Sequence, residues 1–300
     1  MALMSQRKPI ADVLKDDTLS VKRRRQIEQV QNIRQFAVSR LKLPQNNSYT
    51  SFVELKRKAI TWNIVATPKY SVSPIKTCFP ILGCISYLMY FSEARAQREA
   101  EKHKILGHDT HIIDSPAYST GGRFDDPMVS TMFRGGMNSI AQIVFHELAH
   151  QKIFKKGDSA FNEAFATAVG EQGTILWLER NHPKRAKAYL DYLTKKKQFF
   201  GLLLATRKEL KTFYEIDQSD SKKEKGKQRI FASLDNKYSQ LKQSWGGDKR
   251  FDGWFKKDSV NNAKLALIGI YYKKVPEFSK KLKEFNYDFE KFYQFYSLKK

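Results

Sequence analysis

Cysteine is almost missing from this chain, with only Cys78 and Cys84 among 300 residues. Two thiols exclude a disulfide-dense scaffold and an independent zinc ribbon. Their spacing permits one small disulfide loop, which persists only in an oxidising compartment, while two reduced, buried thiols fit the sequence equally. Long apolar runs are missing too. No segment reaches the ~20 apolar residues that cross a bilayer. The closest, Cys78 to Phe91, is interrupted by Pro80 and Gly83 and reads as buried strand or turn. Met1-Ala2-Leu3-Met4-Ser5-Gln6 carries no hydrophobic secretion core, which taken alone indicates the cytoplasm. Acidic side chains are scarce, 31 against 54 Lys and Arg, for a net charge of +23.

Such a surface attracts polyanions, an anionic membrane or envelope surface among them. The charge is dispersed, however. Lys22-Arg23-Arg24-Arg25, Lys195-Lys196-Lys197, Lys222-Lys223, Lys280-Lys281 and Lys299-Lys300 fall on separate helical segments. No nucleic-acid module accompanies them, so no specific nucleic-acid partner is expected and solvated helix faces explain the lysines. With 41% hydrophobic and 13% aromatic residues, the chain can bury a substantial core.

What is present is concentrated in His146-Glu147-Leu148-Ala149-His150. On a helix, positions i and i+4 share a face, so both imidazoles can reach one metal ion while Glu147 addresses an attacking water. Ile140, Ile143, Val144 and Leu148 give this segment an apolar helical face. Lys155-Lys156-Gly157 forms a stop, and Asp158 or Ser159 caps a second helix, from about Ala160 to Leu178. So short a connection makes the two helices antiparallel neighbours. Glu163, one turn into the second helix, then stands where a third ligand is needed. Two histidines, one carboxylate and an open position describe a hydrolytic Zn2+ site, one ion per chain. Glu171 and Thr167, on the same face, can support a ligating histidine. His103, His108, His111 and His182 read as surface or packing residues.

His146-Glu147-Leu148-Ala149-His150-Gln151 followed by Phe161-Asn162-Glu163-Ala164-Phe165-Ala166 resembles the glutamate-zincin metallopeptidases. Pro116-Ala117-Tyr118-Ser119-Thr120 to Phe124-Asp125-Asp126-Pro127, with Val169-Gly170-Glu171, is similar to a bacterial family of zinc aminopeptidases predicted from sequence. That resemblance runs from Arg7-Lys8-Pro9-Ile10 to Asn261-Asn262-Ala263 and Tyr271-Tyr272. It implies a peptide substrate, Glu147 as general base and a metal held by His146, His150 and Glu163. It also points to Tyr118 and Tyr271, or Tyr272, as donors to the oxyanion, and to Asp125, Asp126, Glu171 and Asn262 as substrate-binding. Gly135-Gly136-Met137-Asn138 only partly resembles the Gly-x-Met-Glu-Asn strand with which aminopeptidase N relatives hold the substrate ammonium. It lacks the glutamate, which leaves a zinc endopeptidase as an alternative. A basic polyanion- or envelope-binding protein with a non-catalytic metal site is the reading from a different class. Members of the resembling family typically begin with a lipoprotein signal just before the part matching Lys8-Pro9-Ile10. A chain trimmed of that signal would be periplasmic or envelope-associated.

The expected fold is α+β and mainly helical, a zincin-like helix pair with a small β-sheet and a helical C-terminal part. We expect one domain over 1–300, with an N-terminal helix and sheet region (1–137), the zinc-binding helix pair (138–182) and a helical C-terminal region (183–300). Helices are expected at Ser20 to Leu43, Ser92 to Leu106, Ala186 to Tyr214, Arg229 to Trp245, Asn261 to Tyr272 and Pro276 to Tyr296. Strands are expected at Val53 to Lys56, Ala59 to Thr67 and Thr110 to Asp114. Asp217 to Lys227, rich in Ser, Asp and Lys, reads as a mobile turn or linker.

Overall fold

A computed structural model describes residues 4–80, 83–120, 124–255 and 260–298. Met1 to Leu3 and the Lys299-Lys300 pair singled out above lie outside them. In chain order the elements are β1 (Lys8–Pro9), α1 (Ile10–Val13), α2 (Val21–Ser39), β2 (Ser51–Val53), β3 (Thr61–Thr67) and β4 (Thr77–Phe79). There follow β5 (Gly83–Ile85), β6 (Leu88–Tyr90), α3 (Glu93–Ile105), β7 (Asp109–Ser115), β8 (Met128–Val129), α4 (Gly136–Lys152) and α5 (Ser159–Asn181). The chain closes with α6 (Pro183–Tyr214), α7 (Asp220–Ser244), α8 (Asn262–Tyr271), α9 (Val275–Glu284) and α10 (Phe289–Leu298). The fold is therefore α+β and mainly helical, as the periodicities indicated. No helix among the described residues is long and apolar enough to cross a membrane.

Contacts gather the chain into two compact units, one from Met1–Thr61, Asp114–Tyr189 and Lys274–Lys300, the other from Trp62–Ile113 and Leu190–Lys273. In the first unit, β2 pairs antiparallel with β1 (Lys8 opposite Phe52) and parallel with β8 (Phe52 opposite Met128). Ser20 caps α2 by accepting from the Arg23 amide, and Ile27, Val30, Ile33, Phe36 and Ala37 recur at helical spacing and are all buried. α5 carries an aromatic seam into the core. Phe165 stacks on Phe292 at 5.5 Å and meets Phe278 edge-on at 5.7 Å. Full burial of such a ring stabilises by roughly 1.5–3 kcal/mol.

In the second unit, β3 is buried throughout and lies between β6 and β7. Phe199 centres its aromatic core, 4.6 Å from Phe251 and 5.4 Å from Tyr238. β4 and β5 form a hairpin closed by a Cys78–Cys84 disulfide. The segment from Cys78 to Phe91 is not the buried stretch expected. Phe79, Met89 and Phe91 are exposed, and neither β4 nor β6 contains a buried residue.

Two further expectations need correction. The stretch from Asp217 to Lys227 is no loose linker, since α7 starts at Asp220 under a Ser219 cap. A Cβ on Gly226 would lie 1.9 Å from the Phe213 ring, and the Lys227 ammonium bonds the Asp109 carboxylate at 2.8 Å. Polar composition concealed a packed, anchored turn of helix. Pro276 to Tyr296 is likewise two helices. Asn286 and Tyr287 adopt left-handed backbone (φ 51° and 60°), and the Tyr287 amide donates back to the Leu282 carbonyl, ending α9. Asp288 then accepts from the Glu290 and Lys291 amides and starts α10.

On α5, a Cβ at Gly173 would stand 2.5 Å from Leu41 Cδ1 and 2.9 Å from Phe145 Cδ2. Gly173→Ala should overpack this layer and lower stability by about 1–3 kcal/mol. Urea unfolding would show it as an earlier midpoint at unchanged slope.

Candidate metal centre

α4 presents His146 and His150 one turn apart because Ile140, Val144, Phe145 and Leu148 hold the opposite side of the helix in the core. The connection to α5 is tight and specifically bonded. Gly157 adopts φ 79°, and the Asp158 carboxylate accepts from the Phe161 amide at 2.8 Å. Asn162 pins the turn from both sides. Its Oδ1 accepts from the Lys155 amide at 2.7 Å and its Nδ2 donates to the Lys155 carbonyl at 2.8 Å. Along the helix pair, a Cβ at Gly170 would lie 2.9 Å from the Gln142 carbonyl and 3.4 Å from His146 Cβ. Only hydrogen at that position lets α5 lie this close to the histidine-bearing helix.

The outcome is a triangle of donors. His146 Nε2 and His150 Nε2 are 3.1 Å apart, and Glu163 Oε2 lies 3.4 Å from the first and 3.6 Å from the second. Ligands bound at ~2.0–2.1 Å around a tetrahedral cation sit roughly 3.3–3.4 Å from one another. The three sides of the triangle match that spacing, so the donor set fits a divalent metal. Among the described residues, His146, His150 and Glu163 form a group of three side chains that could hold a metal ion. Side-chain exposures of 17% and 11% for the histidines leave the site reachable from solvent.

Its electrostatics keep Glu163 ionised. Burial alone would raise the Glu163 carboxyl, but the charge of His150 and the hydrogen bonds from His146 and His150 outweigh it and hold the group well below the usual carboxylate range. Burial would lower His150, and the facing Glu163 charge more than reverses that. Glu147 behaves oppositely. Loss of water around it raises its carboxyl, and nearby histidine charge offsets this only in part. His150 Nδ1 is buried and meets no hydrogen-bond partner among the described residues, so Thr167, itself buried, does not serve that nitrogen.

The remaining sequence candidates are scattered. Asp126 is 1% exposed and Asp125 is on the surface. Asp126 Oδ2 accepts from the Thr120 amide (3.0 Å) and from Gln151 Nε2 (3.3 Å), while Oδ1 has no partner among the described residues. Burial raises its carboxyl. Tyr118 is half-buried, its phenol pushed up to about 12 by burial and by Asp126. Glu171 is partly buried two turns beyond Glu163 on α5. Asn262 and Tyr271 belong to the other unit. There Asn262 is fully buried, donating to the Lys69 carbonyl (2.8 Å) and accepting from the Tyr214 hydroxyl (3.1 Å), and Tyr271 packs against Val65, Ala263, Ala266 and Leu267.

Two groups near the site were given no role in the sequence reading. Gln151, beside His150, donates to Ser48 Oγ at 3.2 Å and accepts from Asn46 at 2.7 Å, tying the end of α4 to the turn before β2. In that turn Tyr49 is 1% exposed with left-handed backbone (φ 63°), and its hydroxyl has no partner among the described residues. Burial, then the charges of Glu147 and Asp126, raise its phenol far above the ordinary value. No local pattern marks such a residue, because a left-handed tyrosine is held there by bonds from distant segments, including its amide to the Asp126 carbonyl at 2.7 Å.

A family model described as "Putative aminopeptidase" matches residues 1–299. No curated protein and no solved structure matches the chain.

Asn162→Ala would remove the bonds to the Lys155 amide and carbonyl, the carbonyl keeping the Asp158 amide at 3.2 Å, at about 1–3 kcal/mol for the lost amide bond. Metal content after dialysis should fall together with the melting temperature, whereas the triangle would survive if the turn were incidental.

Proposed function

The chain belongs to the family just described, and from that membership we propose that it is a zinc-dependent aminopeptidase, cleaving the first residue from peptides with Glu147 as general base. The observation that carries this reading is the convergence of His146 Nε2, His150 Nε2 and Glu163 Oε2 at ligand spacing. Those three residues would hold the ion. A bound Zn2+ polarises the scissile carbonyl and makes water a nucleophile near neutral pH.

The chain's own groups supply the rest. Glu147 sits between the two histidines in sequence, and its raised carboxyl is suited to accept a proton and return it to the departing amine. That role is worth roughly 10² to 10⁴ in rate. Tyr118 is the phenol we assign to the oxyanion. Burial keeps it protonated, as a donor must be. Asp126 is the carboxylate we assign to the substrate's free ammonium, since its Oδ1, without a partner among the described residues, retains capacity to accept. The Cys78–Cys84 disulfide supports an oxidising, envelope-side location.

One observation favours a second reading. Gly135 to Asn138 closes a 3-10 turn and opens α4, where aminopeptidase N relatives place an ammonium-binding strand. An endopeptidase on the same triad would have no need of that strand.

Purified protein should carry one zinc by elemental analysis. Glu147→Gln should keep the metal and lose at least about a hundredfold in kcat, while Glu163→Ala should lose the metal. A glutamine variant cleaving peptides at the wild-type rate would refute the mechanism. Cleavage of a short peptide should vanish when its N-terminus is acetylated, and unchanged cleavage of the acetylated peptide would make the protein an endopeptidase.

A further inference from the structure

α3 ends in a turn whose backbone is fully bonded. Gly107 adopts φ 74°, its amide donates to the Lys104 carbonyl at 2.8 Å, and the His108 amide donates to the His103 carbonyl at 3.0 Å. This pair of bonds is the Schellman closure, which brings the third residue from the helix end against the second residue beyond it. That contact is usually apolar. Here both positions are histidine.

The two rings do not merely touch. Their Nδ1 atoms face each other at 3.1 Å, with ring centroids 5.3 Å apart and planes inclined at 41°. This is the separation found between His146 Nε2 and His150 Nε2. It also approximates the roughly 3.3 Å edge of a tetrahedral site with ligand bonds near 2.0–2.1 Å. Both residues keep part of their surface exposed. Glu99 lies one turn earlier on the same face of α3, and its charge acts on His103. Burial, then the neighbouring His108, lowers the His103 pKa and favours the neutral, metal-binding form.

We propose that His103 and His108 form a second metal site, chelating a borderline divalent cation such as Ni2+, Cu2+ or Zn2+ through both Nδ1 atoms. Paired imidazoles select these ions over Mg2+ and Ca2+, which prefer oxygen ligands. The turn holds the donors in place before the ion arrives, so little ordering is lost on binding. A bound ion would lock the end of α3 to the start of β7. The site shares no residue with the His146, His150 and Glu163 triangle and stands or falls independently of the peptidase reading.

The test is Ni2+ titration of the full chain by equilibrium dialysis, comparing wild type with His103→Gln, His108→Gln and Glu163→Ala. Each histidine variant should lose one molar equivalent that Glu163→Ala retains. If both histidine variants bind as much Ni2+ as wild type, the site does not exist. Loss of metal in Glu163→Ala alone bears on the peptidase centre and overturns this proposal as well, because the second equivalent would be missing. Cu2+ electron paramagnetic resonance on a His146→Asn/His150→Asn chain gives a readout that does not depend on the His103 and His108 variants folding. Coupling to two imidazole nitrogens is expected there, and a spectrum without nitrogen coupling would reject the assignment.

Discussion

Everything at the candidate metal centre depends on how closely α5 approaches α4. Histidines one turn apart on a helix are easily produced, and any amphipathic segment with His at i and i+4 supplies them. The third donor is harder, because it must come from another element and arrive within about half an ångström of its place. Gly170 permits that approach at the histidine itself, and Gly173 permits it one turn further on against Phe145 and Leu41. The Asn162 bonds to Lys155 and the left-handed Gly157 fix the turn that sets the register. Small residues along the seam and a bonded turn at its end therefore do the same job from two sides.

That geometry creates an electrostatic demand. Glu163 is 6% exposed, and an isolated buried carboxylate is costly. Facing imidazoles meet part of the demand, and a cation at their centre would meet it fully. Glu147, a neighbour in sequence, receives too little of the same compensation and is pushed the other way. Two carboxylates that feel the same pair of histidines thus acquire opposite tendencies from their surroundings.

The two histidine pairs show how one local geometry arises by different routes. His146 and His150 owe their 3.1 Å separation to helical periodicity, and His103 and His108 owe theirs to a helix-ending turn. A spacing of four is a familiar sequence signal, whereas a spacing of five across a glycine becomes one only when the closing turn is known. For that reason the second pair read as surface residues in the sequence.

Periodicity, capping residues and short connections were enough to determine the helix pair, its antiparallel arrangement and the three candidate ligands, because each follows from interactions within a few turns of chain. The α2 face and the Gly107 and Gly157 stops were legible for the same reason. What only the tertiary structure decided involves partners far apart in sequence. Asp126 rather than Asp125 is buried, Tyr49 is held in left-handed backbone, and Lys227 is anchored on Asp109. The turn at Asn286 and Tyr287 went unread because left-handed backbone at a tyrosine costs energy that surrounding packing must offset. Local pattern records what a residue prefers, and long-range contact decides which preferences are overruled.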